Sequence, residues 1–228
     1  MTGKLNVYGD SLVPTDGGHG ADITSQRQDE LDLGALAAVK ERNAPVVLDL
    51  GGGFGTLSAA MFEAGARVTM IDISDMAGSV FGAANAGNRE RAKELTFVRK
   101  DFLALHPNDL PDRIDILYSQ RALHHLRYND LLDLLTTIRK RMTPGSVAFL
   151  SVGGYDTEYG LTFEGRERSV EERYGKVAPE MQEKHGIHHE ITIYKTEEFA
   201  GLLEKAGFTA TSINPSSFGN IKAFARAD

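Results

Sequence analysis

Residues 46–56, Val-Val-Leu-Asp-Leu-Gly-Gly-Gly-Phe-Gly-Thr, constrain this chain more than any other stretch. The run opens with four apolar residues in five, a β-branched pair among them, which suits a strand buried on both faces of a parallel sheet. Gly51, Gly52, Gly53 and Gly55 follow, where the missing Cβ atoms permit a sharp turn and let backbone approach a ligand closely. Residues 56–64 then place Leu57, Ala60, Met61 and Ala64 on one stripe of a helix. Its free N–H groups and positive dipole end point back at the loop, a seat for an anionic group.

Spacing narrows the ligand. With Gly51 and Gly53 as the first two glycines of Gly-x-Gly-x-x-Gly, the third position is Thr56, so the fit to a nicotinamide dinucleotide is poor. No Gly-Lys-Ser/Thr follows, which removes the Walker-type phosphate cradle. The pattern Asp49-x-Gly51-x-Gly53-x-Gly55 resembles motif I of the class I S-adenosylmethionine-dependent methyltransferases. The resemblance implies an α/β, Rossmann-like methyltransferase fold: a doubly wound, seven-stranded, mostly parallel sheet with an antiparallel last strand. It also implies S-adenosyl-L-methionine as cofactor, seated on Asp49, Gly51, Gly53 and Gly55.

Residues 67–73 read as a second strand ending in Asp72, with Ile73 beside it. A carboxylate about 20 residues beyond a glycine loop is where dinucleotide folds hold ribose hydroxyls, and it accepts two such bonds readily. The resemblance gives Asp72 that role. Residues 95–100 form a third strand leading into Asp101-Phe102; by the same resemblance Asp101 accepts a bond from the adenine amino group and Phe102 borders the base. Residues 114–119 are a fourth strand ending in Ser119, also assigned to the cofactor, and run into Gln120-Arg121-Ala122-Leu123-His124-His125-Leu126. This is similar to the fourth-strand motif and its Leu-His-His-Leu continuation in small-molecule methyltransferases of ubiquinone and menaquinone biosynthesis. The Asn/Asp-Pro-Pro-Tyr of amino-methylating DNA enzymes is absent here, which argues against DNA adenine methylation.

The remaining elements alternate as a parallel sheet requires. Ser25 with Gln28 makes a capping-box start for a helix reaching about Arg42, and Ser74 caps a helix through about Ala84. A short helical piece covers residues 88–94, and residues 130–142 form an amphipathic helix closed by Pro144-Gly145. A fifth strand covers residues 146–153, a helix residues 196–205, and a terminal hairpin residues 208–213 and 221–226. One domain is expected over residues 1–228, with an N-terminal arm, 1–24, that has little structure of its own. Residues 155–190 break the alternation just beyond the fifth strand. They are charged, carry Tyr155, Tyr159, Phe163 and Tyr174, and sit where an insertion forms a lid over the ligand.

A net charge of −7 repels polyanions, so nucleic-acid substrates are disfavoured. The longest apolar runs fall short of the ~20 residues of a membrane span, and residues 1–10 lack a signal pattern, so a cytoplasmic location is expected. The absence of cysteine excludes disulfides, thiolate metal sites and cysteine nucleophiles. If the acceptor is a hydroxyl, histidine is the natural general base. His124 and His125 follow the fourth strand, and His188 and His189 end the lid. His185, His188, His189 and Glu190 resemble a metal-ligand set, yet an extended segment there would turn His189 and Glu190 opposite ways, so no metal is expected. The leading expectation is methyl transfer to an O, N or C atom of a small metabolite or natural product, a homodimer being compatible with it. The alternatives are a protein or RNA methyltransferase, a non-catalytic S-adenosylmethionine-binding regulator and, more remotely, a nicotinamide oxidoreductase.

Overall fold

The computed structural model describes residues 13–15, 17–22 and 27–228. Seven strands form one sheet: β1 (Val46–Leu50), β2 (Arg67–Asp72), β3 (Leu95–Arg99), β4 (Ile114–Gln120), β5 (Met142–Val152), β6 (Thr209–Pro215) and β7 (Ile221–Ala227). Their order across the sheet is β6-β7-β5-β4-β1-β2-β3. The β1–β2, β2–β3, β1–β4 and β4–β5 pairs are parallel, and β7 runs antiparallel to both β5 and β6. The doubly wound topology and reversed final strand are those expected. Strand order reverses between β1 and β4, the switch point at which open α/β sheets bind ligands.

Seven α-helices are present among the described residues: α1 (Glu30–Lys40), α2 (Thr56–Glu63), α3 (Gly78–Gly87), α4 (Tyr128–Arg139), α5 (Glu158–Leu161), α6 (Pro179–His185) and α7 (Thr196–Lys205). Strand β1 is apolar on both sides because both are covered. Val47 packs with α1, α2 and α3 residues such as Leu31, Phe62 and Phe81, whereas Leu48 and Leu50 pack with Leu131 and Leu135 of α4 and Phe199 of α7. No helix among the described residues is long and apolar enough to cross a membrane.

Several boundaries differ from the sequence expectation, each for a physical reason. Ser25 lies outside the described residues; α1 starts at Glu30, where Asp29 accepts from the Leu31 and Asp32 N–H groups and Asp32 accepts from Asp29. Ser74 does not cap α3. Its N–H and hydroxyl both donate to Asp72, and α3 begins four residues later without a side-chain cap. Strand β5 starts at Met142, and Pro144-Gly145 falls within it at a register irregularity opposite Ile114 and Ile116.

Residues 155–190 fold into a cap with its own apolar cluster, in which Tyr159, Phe163, Val177, Met181 and Ile187 pack with Ile191 and Ile193. Tyr174–Gly175 pairs antiparallel with Ile191–Thr192. Arg173, 2 % exposed, fastens the cap to α7 by a bidentate pair with Glu198 at 2.6 and 3.0 Å. The same guanidinium donates to the Ile193 and Arg168 carbonyls, and the pair holds the Glu198 carboxyl below its ordinary range against the opposing effect of burial. Removing one partner of a buried pair costs about 3–5 kcal/mol, and Glu198, whose side chain is 19 % exposed, can partly rehydrate, so Arg173→Met is expected to cost about 2–3 kcal/mol. Chemical denaturation of the purified variant checks this.

Candidate active site

The carboxyl ends of β1, β2, β3 and β4 open into a cavity of 910 Å3. Small-molecule sites span about 300–1,000 Å3, so this one has room for a cofactor and a second small molecule. Its floor is the glycine loop. Gly51, Gly53 and Gly55 all have left-handed φ angles, +73°, +56° and +75°. A Cβ on Gly51 would lie 2.1 Å from Ala122 Cβ, so the loop and the end of β4 meet at a distance only glycine allows. Beneath them, buried Asp49 accepts the Ser58 hydroxyl at 2.6 Å, tying β1 to the first turn of α2.

Asp72 joins the second strand to the same loop. One carboxylate oxygen accepts the Gly53 N–H at 2.9 Å, and the other accepts the Ser74 N–H and hydroxyl, each at 2.8 Å. A carboxylate offers about four lone-pair sites, so one remains for a ligand hydroxyl and the rotatable Ser74 hydroxyl can yield a second. Beyond it, Ile73 and Leu103 are 41 % and 65 % exposed and, with Phe102, give the cavity an apolar rim suited to a flat base. Asp101 Oδ1 accepts the Leu103 N–H at 2.9 Å, whereas Oδ2 has no hydrogen bond among the described residues and is available to an amino group. Glycine floor, ribose-height carboxylate and apolar slot with a free acceptor fit an adenosyl group.

Asp49, Gly51, Gly53, Asp72, Ile73, Asp101 and Phe102, the residues assigned to the cofactor by the resemblance, line the cavity. Gly55 and Ser119 are not part of the lining. Gly55 precedes α2 against Phe81, where a Cβ would come within 2.5 Å of the ring, and Ser119 donates to the Leu50 carbonyl at 2.8 Å, bracing β4 on β1.

The histidines gather on the opposite wall. His124 is 3 % exposed, and neither ring nitrogen has a hydrogen-bond partner among the described residues. Burial, with smaller contributions from His125 and Arg121, pushes its pKa well below the ordinary histidine value, so the ring is neutral at neutral pH. His125 Nε2 lies 3.1 Å from the His19 carbonyl, which only accepts, so the proton resides on Nε2. His19 stacks on His189 at 4.2 Å and meets His125 edge-on at 5.2 Å. His188 is exposed and off the cavity. His189 and Glu190 both line it, contrary to the alternation expected, because residues 188–190 are irregular and the strand begins at Ile191. Among the described residues no three His, Asp or Glu side chains are grouped as metal ligands.

A methyltransferase-domain family model matches residues 23–213, most of the chain. This chain belongs to the class I S-adenosylmethionine-dependent methyltransferases. A comparison with curated protein sequences returns no match. Among solved structures, the methyltransferase resembles the Burkholderia thailandensis 1,6-didemethyltoxoflavin N1-methyltransferase, solved with 1,6-didemethyltoxoflavin and S-adenosylhomocysteine (TM-score 0.60, 21% identity, 90% of this chain and 81% of that one). It also resembles a Clostridium acetobutylicum S-adenosylmethionine-dependent methyltransferase (TM-score 0.61, 11% identity, 90% and 94%). A third is the mitomycin 7-O-methyltransferase (TM-score 0.52, 21% identity, 87% and 54%).

In this methyltransferase the described part of the N-terminal arm is bound to the cap. Gly20 N–H donates to the Gly186 carbonyl at 2.9 Å and His188 N–H to the Gly18 carbonyl at 2.8 Å, which brings His19 into the cavity wall. Sequence reasoning overlooked His19 because no local pattern marks it. It also passed over Gln120 and Arg121, although their place at the carboxyl end of β4 is the signal that could have found them.

The imidazole cluster sets a pH dependence. Burial and the neighbouring His19 and His189 lower the His125 pKa to about 4, from an ordinary value of 6.5. The unfolded chain therefore binds the extra proton first. Stability from this group is fully present above about pH 6.5 and is lost as pH falls toward 4, by about 3 kcal/mol. His124 and His185 are depressed as well and act in the same direction. Thermal melts from pH 7 to 4.5 are expected to show this decline, and a His125→Leu variant a shallower one.

Proposed function

We propose that this methyltransferase moves the methyl group of S-adenosylmethionine to an oxygen, nitrogen or carbon atom of a small metabolite or natural product. The observation that carries the reading is the partial cover over the cavity. The cap and the described arm meet over it through the His19–Ile187 bridge, and Tyr174 closes on the His124-His125 turn by donating to the His125 carbonyl at 3.3 Å. A roof of this kind suits an acceptor that enters whole. The toxoflavin and mitomycin enzymes among the structural neighbours act on small molecules, in keeping with that size.

When bound, the cofactor supplies an electrophilic methyl group on its sulfonium. The protein's part is orientation and shielding. Gly51–Gly53 and Asp72 fix the adenosyl end, while cap and arm exclude water, so that a correctly aligned acceptor reacts as within one molecule. His124 is the best placed base: buried, neutral, without a partner at either nitrogen and on the cavity wall. It takes the acceptor's proton as the new bond forms. His125 has a nitrogen committed to the arm and acts by holding the roof.

Incubation with methyl-labelled S-adenosylmethionine and a metabolite extract tests the proposal. Label is expected in small molecules; label confined to protein or RNA, or none transferred despite cofactor binding, would overturn it.

A further inference from the structure

Arg121 follows the last residue of β4 with φ +54°, a left-handed conformation costly for a side chain of this size. Such strain persists only where the surroundings enforce it, and it concentrates at functional sites. Here the Arg121 N–H is held by the Ser151 carbonyl at 3.0 Å, and the next residue, Ala122, abuts Gly51. Arg121 lines the cavity.

Three arginines of the cap and site region have side-chain partners. Arg173 is paired with Glu198, Arg127 lies over the Tyr174 ring at 4.3 Å and Arg166 over Tyr155 at 3.9 Å. The Arg121 guanidinium has no hydrogen bond, ion pair or ring contact among the described residues. The nearby carboxylates are already engaged. Asp32 accepts from the Tyr118 hydroxyl and the Asp29 N–H, and Glu158 is bound by Lys184 and, at 3.3 Å, His185. Arg121 acts electrostatically on Asp32, His124, His185 and Tyr159, and forms a direct bond with none of them. The Arg121 side chain therefore lines the cavity with no direct partner of its own among the described residues.

We propose that Arg121 docks a carboxylate on the methyl acceptor, making the substrate class of this enzyme small organic acids. A guanidinium fork binds a carboxylate bidentately, fixing orientation as well as affinity. Tyr159, Leu161 and Phe218 supply apolar surface for the rest of the molecule. Docking also neutralises the charge that helps to depress His124, making that imidazole a better base once substrate is present. The inference rests on the methyl-transfer reading.

The test is calorimetric titration of the full chain, saturated with S-adenosylhomocysteine, with 4-hydroxybenzoate and its neutral counterpart 4-hydroxybenzamide. The acid is expected to bind at least tenfold more tightly, Arg121→Ala to abolish the preference, and Arg121→Lys to restore part of it. Cofactor affinity is expected to stay within threefold in both variants. Equal binding of the two probes, or a preference that survives Arg121→Ala, would overturn carboxylate docking alone. A tenfold fall in S-adenosylhomocysteine affinity in Arg121→Ala would reassign the guanidinium to the cofactor's own carboxylate. Failure of the wild-type protein to bind S-adenosylhomocysteine would remove this inference together with the reading beneath it.

Discussion

Replacing Asp72 with alanine is expected to weaken S-adenosylhomocysteine binding by roughly 100-fold. Two hydrogen bonds from ribose hydroxyls to a carboxylate are together worth about 3 kcal/mol, which corresponds to that factor. The same side chain organises the protein side of the site through Gly53 and Ser74, so its loss also loosens the loop. Asp72→Asn separates the two effects. The amide keeps the size and one acceptor oxygen but surrenders the charge, and about a tenfold loss is expected, in line with the weaker neutral bond. Calorimetry on both variants, each shown by its melting curve to be folded, checks the assignment. Wild-type affinity in Asp72→Ala would remove Asp72 from the ribose site.

The second large effect is expected at Gly51. Alanine there must adopt φ +73° and place its Cβ 2.1 Å from that of Ala122, which is itself fixed at the end of β4. Left-handed backbone costs about 1–2 kcal/mol and overpacking about 1–3 kcal/mol, so Gly51→Ala is expected to lose about 3 kcal/mol. For a chain of this length that lowers Tm by about 6–12 °C. Cofactor affinity should fall with it, because the loop can relieve the overlap only by moving out of the seat. Gly82→Ala is the contrast. It lies in α3 with open space around it and an ordinary φ, and is expected to raise stability by about 0.5–1 kcal/mol through helix propensity.

Gly51 shows why the glycine loop was legible in the sequence. A turn that needs positive φ and close approach admits only glycine, so Asp49-x-Gly51-x-Gly53-x-Gly55 records its geometry in residue types. Strands β1 and β4 were similarly readable, since burial on both faces leaves an apolar run between turn residues. The start of α1 was harder. Ser25 and Asp29 both satisfy local capping rules, and Asp29 is further fixed by distant partners, Gln120 donating at 2.9 Å and Lys222 pairing at 2.8 Å.

The histidine wall of the cavity was only partly legible because it is assembled from non-local contacts. His19 reaches the cavity through backbone bonds to the cap, a pairing no sequence period encodes. The alternation applied to His189 and Glu190 presumed a strand that begins only at Ile191. The cap's small apolar cluster draws on residues spread from Tyr159 to Ile193, with no repeat to announce it.

The most direct measurement is calorimetric titration of the purified protein with S-adenosylhomocysteine. One-to-one binding at micromolar affinity is the expected result. No detectable heat at several temperatures, from protein shown to be folded and free of copurified ligand, would contradict the assignment of the glycine-floored cavity as the methyl-donor site.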